Sequence, residues 1–167
     1  MLYREYPSPV GMLLLTAEED ALTGIWMNRQ MPQQGVAAES HPVLQKAAAW
    51  LDAYFRGEEA EINFPLNPHG TAFQRQVWKC LLTIPYGKTR SYGSIAREMA
   101  QLLDKQNMSA QAVGQAVGAN PIGILIPCHR VVGAQGQLTG YAGGLDKKIR
   151  LLEHEGWKIA NNKIRQV

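Results

Sequence analysis

A chain of 167 residues with 46% hydrophobic side chains is long enough for one well-filled core, or for one small and one medium domain sharing an interface. Its longer apolar runs, Met12 to Leu15 and Ile122 to Ile126, fall far short of the ~20 residues of a membrane span, and Met1 begins no charged-then-apolar leader, so a cytoplasmic protein with no membrane partner is expected. The net charge of +3 permits nucleic-acid binding without establishing it, and the two cysteines, Cys80 and Cys128, with four scattered histidines supply no zinc-binding spacing, so two thiols and no metal are expected.

Short apolar-rich stretches separated by Pro, Gly or acidic turns, Leu2 to Tyr6, Met12 to Ala17 and Ala21 to Met27, predict a small antiparallel sheet. From His41 to Arg56 the residues Leu44, Ala47, Ala48, Leu51, Tyr54 and Phe55 recur at helical spacing, with Pro42 suited to a first turn and Gly57 to a stop. One amphipathic helix over the sheet is the expectation. The stretch 64–70 holds two prolines and a glycine, and the texture after it is mainly helical. The predicted organisation is an N-terminal α/β domain, 1–63, a linker, 64–70, and a C-terminal domain, 71–167.

In that second part, Thr71 and Gln74 form a capping box, and Phe73, Val77, Cys80, Leu81 and Ile84 mark the buried face of the helix that follows, which Pro85 and Gly87 stop. Ser91 is placed to cap a helix with Ile95, Met99 and Leu102 on its apolar side. A polar loop, Asp104 to Asn107, leads to another helix starting near Ser109, so the pair reads as a helix-turn-helix. That second helix, Ala110 to Gly118, is almost bare on one side, with Ala110, Ala112, Gly114 and Ala116. Something must approach its backbone closely, and tight helix packing is the ordinary explanation. The fold class is therefore α+β: a small antiparallel sheet with a helix, then a mainly helical, winged-helix-like domain.

After Asn120 and Pro121 the apolar run Ile122 to Ile126 reads as a buried strand ending at Pro127-Cys128-His129-Arg130-Val131. A cysteine beside a histidine is a candidate nucleophile, because the thiolate is the reactive form and a neighbouring base or cation lowers the thiol pKa from ~8.5. Alone, the pair is weak evidence, and Cys80 on an apolar helix face fits a packed structural thiol. The whole arrangement says more: Phe73-Gln-x-x-Val-Trp78, Asn120-Pro, the apolar run, Pro-Cys-His-Arg-Val, Thr139-Gly-Tyr-Ala-Gly-Gly144 and Leu151-Leu-Glu-His-Glu-Gly156. From about Gly70 to Gly156 this resembles the O6-alkylguanine-DNA alkyltransferases.

The resemblance implies repair of double-stranded DNA by irreversible, stoichiometric alkyl transfer from O6-alkylguanine and O4-alkylthymine to Cys128, by a monomer with no organic cofactor and no obligate protein partner. His129 would act as base through a water, and Glu155 would hold its imidazole in the right tautomer. Asn120 would be the hinge that ties the recognition helix to the active-site segment, and Arg130 would be structural. Tyr92 would meet the flipped guanine, Tyr141 would form a wall of its pocket, Ala142 would offer its backbone N–H to O6, and Val131 and Lys148 would complete the substrate site. Ala110, Gln111, Ala112 and Gly114 would face DNA. The flipping itself follows from chemistry, since the alkyl group sits on a base edge inside the duplex.

Two features depart from the family pattern. Gln111 stands where most members carry an arginine that fills the gap left by the flipped base, and the loop around Gln101 to Met108 is longer than in the shorter members. Two other classes compete: a non-catalytic damage sensor, which would lack the acceptor cysteine that Cys128 supplies, and a cysteine hydrolase using Cys128, His129 and Glu155, which would turn over.

Overall fold

A computed structural model of the chain describes residues 1–27, 35–141 and 143–165. By internal contacts it divides into Met1–His69 with Pro121–Gly123, and Gly70–Asn120 with Ile124–Val167. In the first unit, β1 (Leu2–Ser8), β2 (Gly11–Glu18) and β3 (Ala21–Met27) form consecutive antiparallel hairpins, and β4 (Val36–Ala37) joins the other edge in the order β3-β2-β1-β4. The strand β4 runs parallel to β1, so the sheet is mixed rather than purely antiparallel as expected. The predicted helix is α1 (Pro42–Phe55), which begins where the His41 side chain accepts from the Val43 N–H and buries Leu44, Ala47, Ala48, Leu51 and Tyr54. Its apolar stripe packs on β1, β2 and β3.

The run Ile122 to Ile126 is not a strand. Only Ile122 makes an isolated parallel bridge, to Ile25, through Ile25 N–H to the Pro121 carbonyl and Gly123 N–H to the Ile25 carbonyl, both at 3.0 Å. Beyond it the chain turns, and Ile124 sits at φ 67, a conformation strongly disfavoured for a β-branched side chain. Burial explains why the residues are apolar: every position from Pro121 to Val132 is buried, whatever its backbone shape.

In the second unit, α2 (Ala72–Leu81) starts at the expected capping box, with reciprocal Thr71 and Gln74 bonds of 2.9 and 3.1 Å. It packs with α3 (Tyr92–Leu102) and α4 (Ala110–Gly118), capped by Ser91 and Ser109. Trp78, only 1% exposed, sends its indole N–H to the Ala116 carbonyl at 2.8 Å and so fixes α4 against α2. Phe73 is half-buried rather than buried. The buried stripe of α3 is Ile95, Ala96, Met99 and Ala100, whereas Leu102, the last residue of the helix, is 63% exposed.

Before α3 lies β5 (Arg90–Ser91), which pairs in parallel with β6 (Val131–Val132). Then α5 (Leu145–His154) leads to the hairpin of β7 (Lys158–Ala160) and β8 (Lys163–Arg165). The hairpin turns through Asn161 and Asn162, both at positive φ as a two-residue turn requires. A second small core of Val132, Leu138 and Leu152, with Ile149, Trp157 and Ile164 against it, holds α5 and the hairpin together. Trp78→Phe keeps most of the apolar volume but removes the indole donor to Ala116; a loss of about 2 kcal/mol is expected in urea unfolding, combining one buried hydrogen bond with a small void.

Candidate active site

Cys128 stands at the start of a 3-10 turn (Cys128–Arg130), not at a strand end. Its N–H donates to the Ile126 carbonyl at 2.8 Å across Pro127, whose φ of −81 and ψ of 63 are those of an inverse γ-turn. Proline presets that φ, and the tight reversal points residue 128 away from the chain before it. The amide of Asn120 donates to the Ile126 carbonyl at 2.9 Å and to the Cys128 sulfur at 3.2 Å, linking the end of α4 to this turn.

Burial pushes the Cys128 thiol up, while hydrogen bonds from Asn120 and Tyr141 and the positive charge of Lys148 pull it back. Cys80 is just as buried but oppositely surrounded. Its S–H donates to Glu98 at 2.8 Å, and burial together with that carboxylate raises it to about 11 despite a contact from Arg90. A donor aimed at sulfur favours the thiolate, and an acceptor favours the thiol.

His129 and Arg130 follow Cys128 around the turn and meet the carboxylate of Glu155, which closes α5. The His129 Nε2 lies 2.5 Å from one Glu155 oxygen, the Arg130 Nε donates to the other at 2.8 Å, and the Gly87 N–H adds a third donor at 2.9 Å. Burial opposes the Glu155 charge, but the bonds and charges of His129 and Arg130 outweigh it and hold the carboxyl well below the usual range. An ionised carboxylate only accepts, so Nε2 carries the imidazole hydrogen and Nδ1 holds the lone pair. Burial pushes the imidazole pKa down against the pull of Glu155, which keeps His129 neutral. Arg130 also donates to the Ile84 carbonyl at 2.7 Å and lies over the Tyr86 ring, so it anchors the turn after α2.

Cys128 opens onto a cavity of about 750 Å³ lined by Tyr92, Gln111, Gly114, Gln115, Thr139 and Tyr141 among others. The β5–β6 pairing puts Tyr92, the first residue of α3, beside the segment that follows Cys128. Thr139 donates to the Tyr92 hydroxyl at 3.1 Å. Lys148 is wholly buried, its ammonium 5.8 Å from the centre of the Tyr92 ring and without a hydrogen-bond partner among the described residues. Its burial contrasts with the solvated face usual for a lysine.

Of the expected DNA-facing residues, Ala110, Gln111 and Gly114 line this cavity, and Ala112 is half-buried next to them on α4. The small residues do not all share one side: Ala116 is only 2% exposed and packs against α2, so tight helix packing explains it, but packing does not explain the glycines. A Cβ added at Gly114 would meet nothing nearer than the Tyr92 ring at 3.8 Å, and one at Gly118 would meet nothing within 4 Å. Val131, expected with the substrate residues, is fully buried in β6, where pairing with Arg90 directs its side chain into the core, and it is not part of the cavity lining. Ala142 lies outside the described residues. The sequence names Thr139 only as the start of a motif and Gly87 only as a helix stop, neither with a role at the site, and gives no signal for Gln115. The Gly87 signal, at φ 76 in a Pro-Tyr-Gly turn, speaks of the turn, not of Glu155.

Burial lowers the Lys148 ammonium from its ordinary 10.5 to about 8. The folded protein thus holds this proton less tightly than the unfolded chain does. The handicap to stability is full below about pH 8 and vanishes as pH rises through about 10.4. Lys148→Met is expected to stabilise the fold by roughly 2–4 kcal/mol at pH 7, with the gain shrinking toward pH 10, read by urea unfolding across that range.

Both parts of the chain resemble known proteins. Residues 1–68 match the family model described as 6-O-methylguanine DNA methyltransferase, ribonuclease-like domain, and residues 72–157 match its DNA binding domain. A methylated-DNA--protein-cysteine methyltransferase of Mycobacterium leprae is 45% identical over 165 residues, covering 93% of each chain. One from Methanosarcina acetivorans is 42% identical over 93% of this chain and 99% of its own length. The crystal structure of Mycobacterium tuberculosis OGT in complex with DNA superposes with a TM-score of 0.81 at 45% identity, over 93% of this chain and 92% of that one. Both halves of the sequence and the fold agree, and the chain belongs to the 6-O-methylguanine DNA methyltransferase family.

Proposed function

We propose that this protein repairs DNA by transferring the alkyl group of O6-alkylguanine, and of O4-alkylthymine, irreversibly to Cys128, acting in the cytoplasm as a monomer. One observation carries the reading: a buried thiol that accepts hydrogen bonds from Asn120 and Tyr141, which oppose the rise caused by burial, opens onto a cavity continuous with the exposed face of α4. That face suits close approach of a duplex, and the cavity suits a base rotated out of it.

The reaction follows from the groups at hand. His129, neutral and with its Nδ1 lone pair fixed by Glu155, takes the Cys128 proton by way of a water. The sulfur forms a bond to the alkyl carbon as the carbon–O6 bond breaks, and the electron pair passes into the purine. Tyr92 and Tyr141 meet the flipped base, and the Ala142 N–H serves its O6. Because a thioether is not hydrolysed under these conditions, each molecule acts once. Mixing the protein with an excess of an oligonucleotide containing O6-methylguanine should give a mass increase of one methyl group, located on the peptide containing Cys128. Cys128→Ser should abolish transfer yet bind DNA. Repeated turnover, or methylation of Cys80, would sink the mechanism.

Gln111 takes the place of the duplex-filling arginine. Its amide can pair with the orphaned cytosine but brings neither charge nor cation–π attraction. Gln111→Arg is expected to tighten duplex binding several-fold and to steepen its salt dependence, with a smaller effect on single strands, in titrations across a salt series. If both Gln111→Arg and Gln111→Ala leave duplex binding unchanged, residue 111 does not enter the stack.

A further inference from the structure

The Tyr92 hydroxyl does not stand alone at the cavity wall. Thr139, across the cavity mouth, donates its hydroxyl proton to the Tyr92 oxygen at 3.1 Å. An oxygen already accepting from a neighbour is left with its own O–H to give, and both residues line the cavity that holds Cys128. On the ring of the same tyrosine lies the buried ammonium of Lys148, 5.8 Å from the centroid and without a hydrogen-bond partner among the described residues. Two elements outside α3, the 138–141 segment and α5, therefore send a donor and a cation to one phenol. The remaining ionisable neighbour that Tyr92 senses is Cys128, and on α4 a Cβ at Gly114 would stand 3.8 Å from its ring.

We propose that Thr139 is a positioning residue for alkyl transfer: its hydroxyl turns the Tyr92 proton into the cavity and stabilises the phenolate formed when Tyr92 protonates the departing base. The proposal rests on the alkyl-transfer reading above. As the sulfur–carbon bond forms and the carbon–O6 bond breaks, negative charge builds on the purine. Tyr92 supplies the proton that makes the released base neutral, the phenolate keeps the electron pair of its broken O–H bond, and water later returns a proton to it. The thiol proton taken by His129 is released to solvent, so the protons balance. Burial holds the Tyr92 hydroxyl pKa above its ordinary value, and the Thr139 bond opposes that rise, which is the contribution a proton donor needs from a neighbour. Lys148 acts in the same sense through space, since a cation over the ring favours the anion within it.

The test compares two alkyl donors on the full-length protein. With an O6-methylguanine oligonucleotide at saturating protein, Thr139→Val should slow single-turnover methylation of Cys128 about five- to tenfold, the worth of one hydrogen bond. Thr139→Ser should restore the rate, and DNA affinity should change less than twofold. Adding Thr139→Val to Tyr92→Phe should slow transfer no further. With methyl iodide, whose leaving group needs no proton, methylation of Cys128 should proceed at the same rate in wild type and Thr139→Val. A wild-type rate for Thr139→Val on DNA overturns the proposal, as does equal slowing with methyl iodide or equal slowing in the Tyr92→Phe background. Absence of any transfer from the oligonucleotide to wild-type Cys128 overturns instead the functional reading on which the proposal stands.

Discussion

One buried carboxylate, that of Glu155, sets the terms for the rest of the site. It receives Arg130, His129 and the Gly87 N–H within a shell that excludes water. A carboxylate so placed and left unpaired is strongly destabilising, so the end of α5, the 3-10 turn and the turn after α2 must come together for the fold to be tolerated. Charge balance within the group is one carboxylate against one guanidinium, which leaves the imidazole neutral. The tautomer of His129 is thus a consequence of folding and needs no adjustment when a substrate arrives. Arg130 extends the same network to the Ile84 carbonyl, so the residue following the candidate base doubles as an anchor.

The two cysteines show how little burial alone says about reactivity. Both are almost fully enclosed, at 4% and 6% exposure, and burial raises both thiols. What separates them is the direction of the hydrogen bonds at sulfur. Glu98 takes a proton from Cys80 and makes ionisation harder, whereas Asn120 and Tyr141 give hydrogen bonds to Cys128 and make it easier. Lys148 contributes on the same side, and its buried ammonium, without a hydrogen-bond partner among the described residues, is a cost to stability placed next to Cys128 and Tyr92. Such local sacrifice of stability is common where a site is prepared in advance for developing charge.

The α4 helix carries the complementary specialisation. It holds no charged side chain, its exposed face is Ala, Gly and Gln, and the glycines at 114 and 118 are not demanded by contacts within the protein. A helix of this kind sacrifices helix propensity, about 1 kcal/mol for each glycine relative to alanine, and gains a surface whose backbone an external molecule can approach. Affinity for a charged partner must come from elsewhere on the molecule, and Gln111 leaves the helix itself neutral.

Much of this was written in short stretches of chain. Capping residues Thr71, Ser91 and Ser109 marked three helix starts because an N-cap acts within four residues, and the periodicity of residues 41–56 marked α1 because one face of a helix is a local property. Cys128, His129, Asn120 and Glu155 could be named because their motifs are contiguous and resemble those of a family. Local sequence is a poor guide where the backbone depends on distant partners. A buried run such as Ile122 to Ile126 looks the same whether its peptide groups join a sheet or turn, and here a single bridge to Ile25 and a left-handed Ile124 decided for the turn. Leu102 keeps its place in the apolar period, yet it is the last residue of its helix and is exposed. The parallel β4 and the burial of Lys148 were likewise invisible, as was the bond from Thr139 to Tyr92 across 47 residues. The sequence by itself determined which residue types were available for chemistry and where helices begin. Only the tertiary structure decided which sulfur receives donors, which nitrogen of His129 keeps its lone pair and which hydroxyl gives its proton, because each is set by groups far apart in the chain that packing brings within about 3 Å.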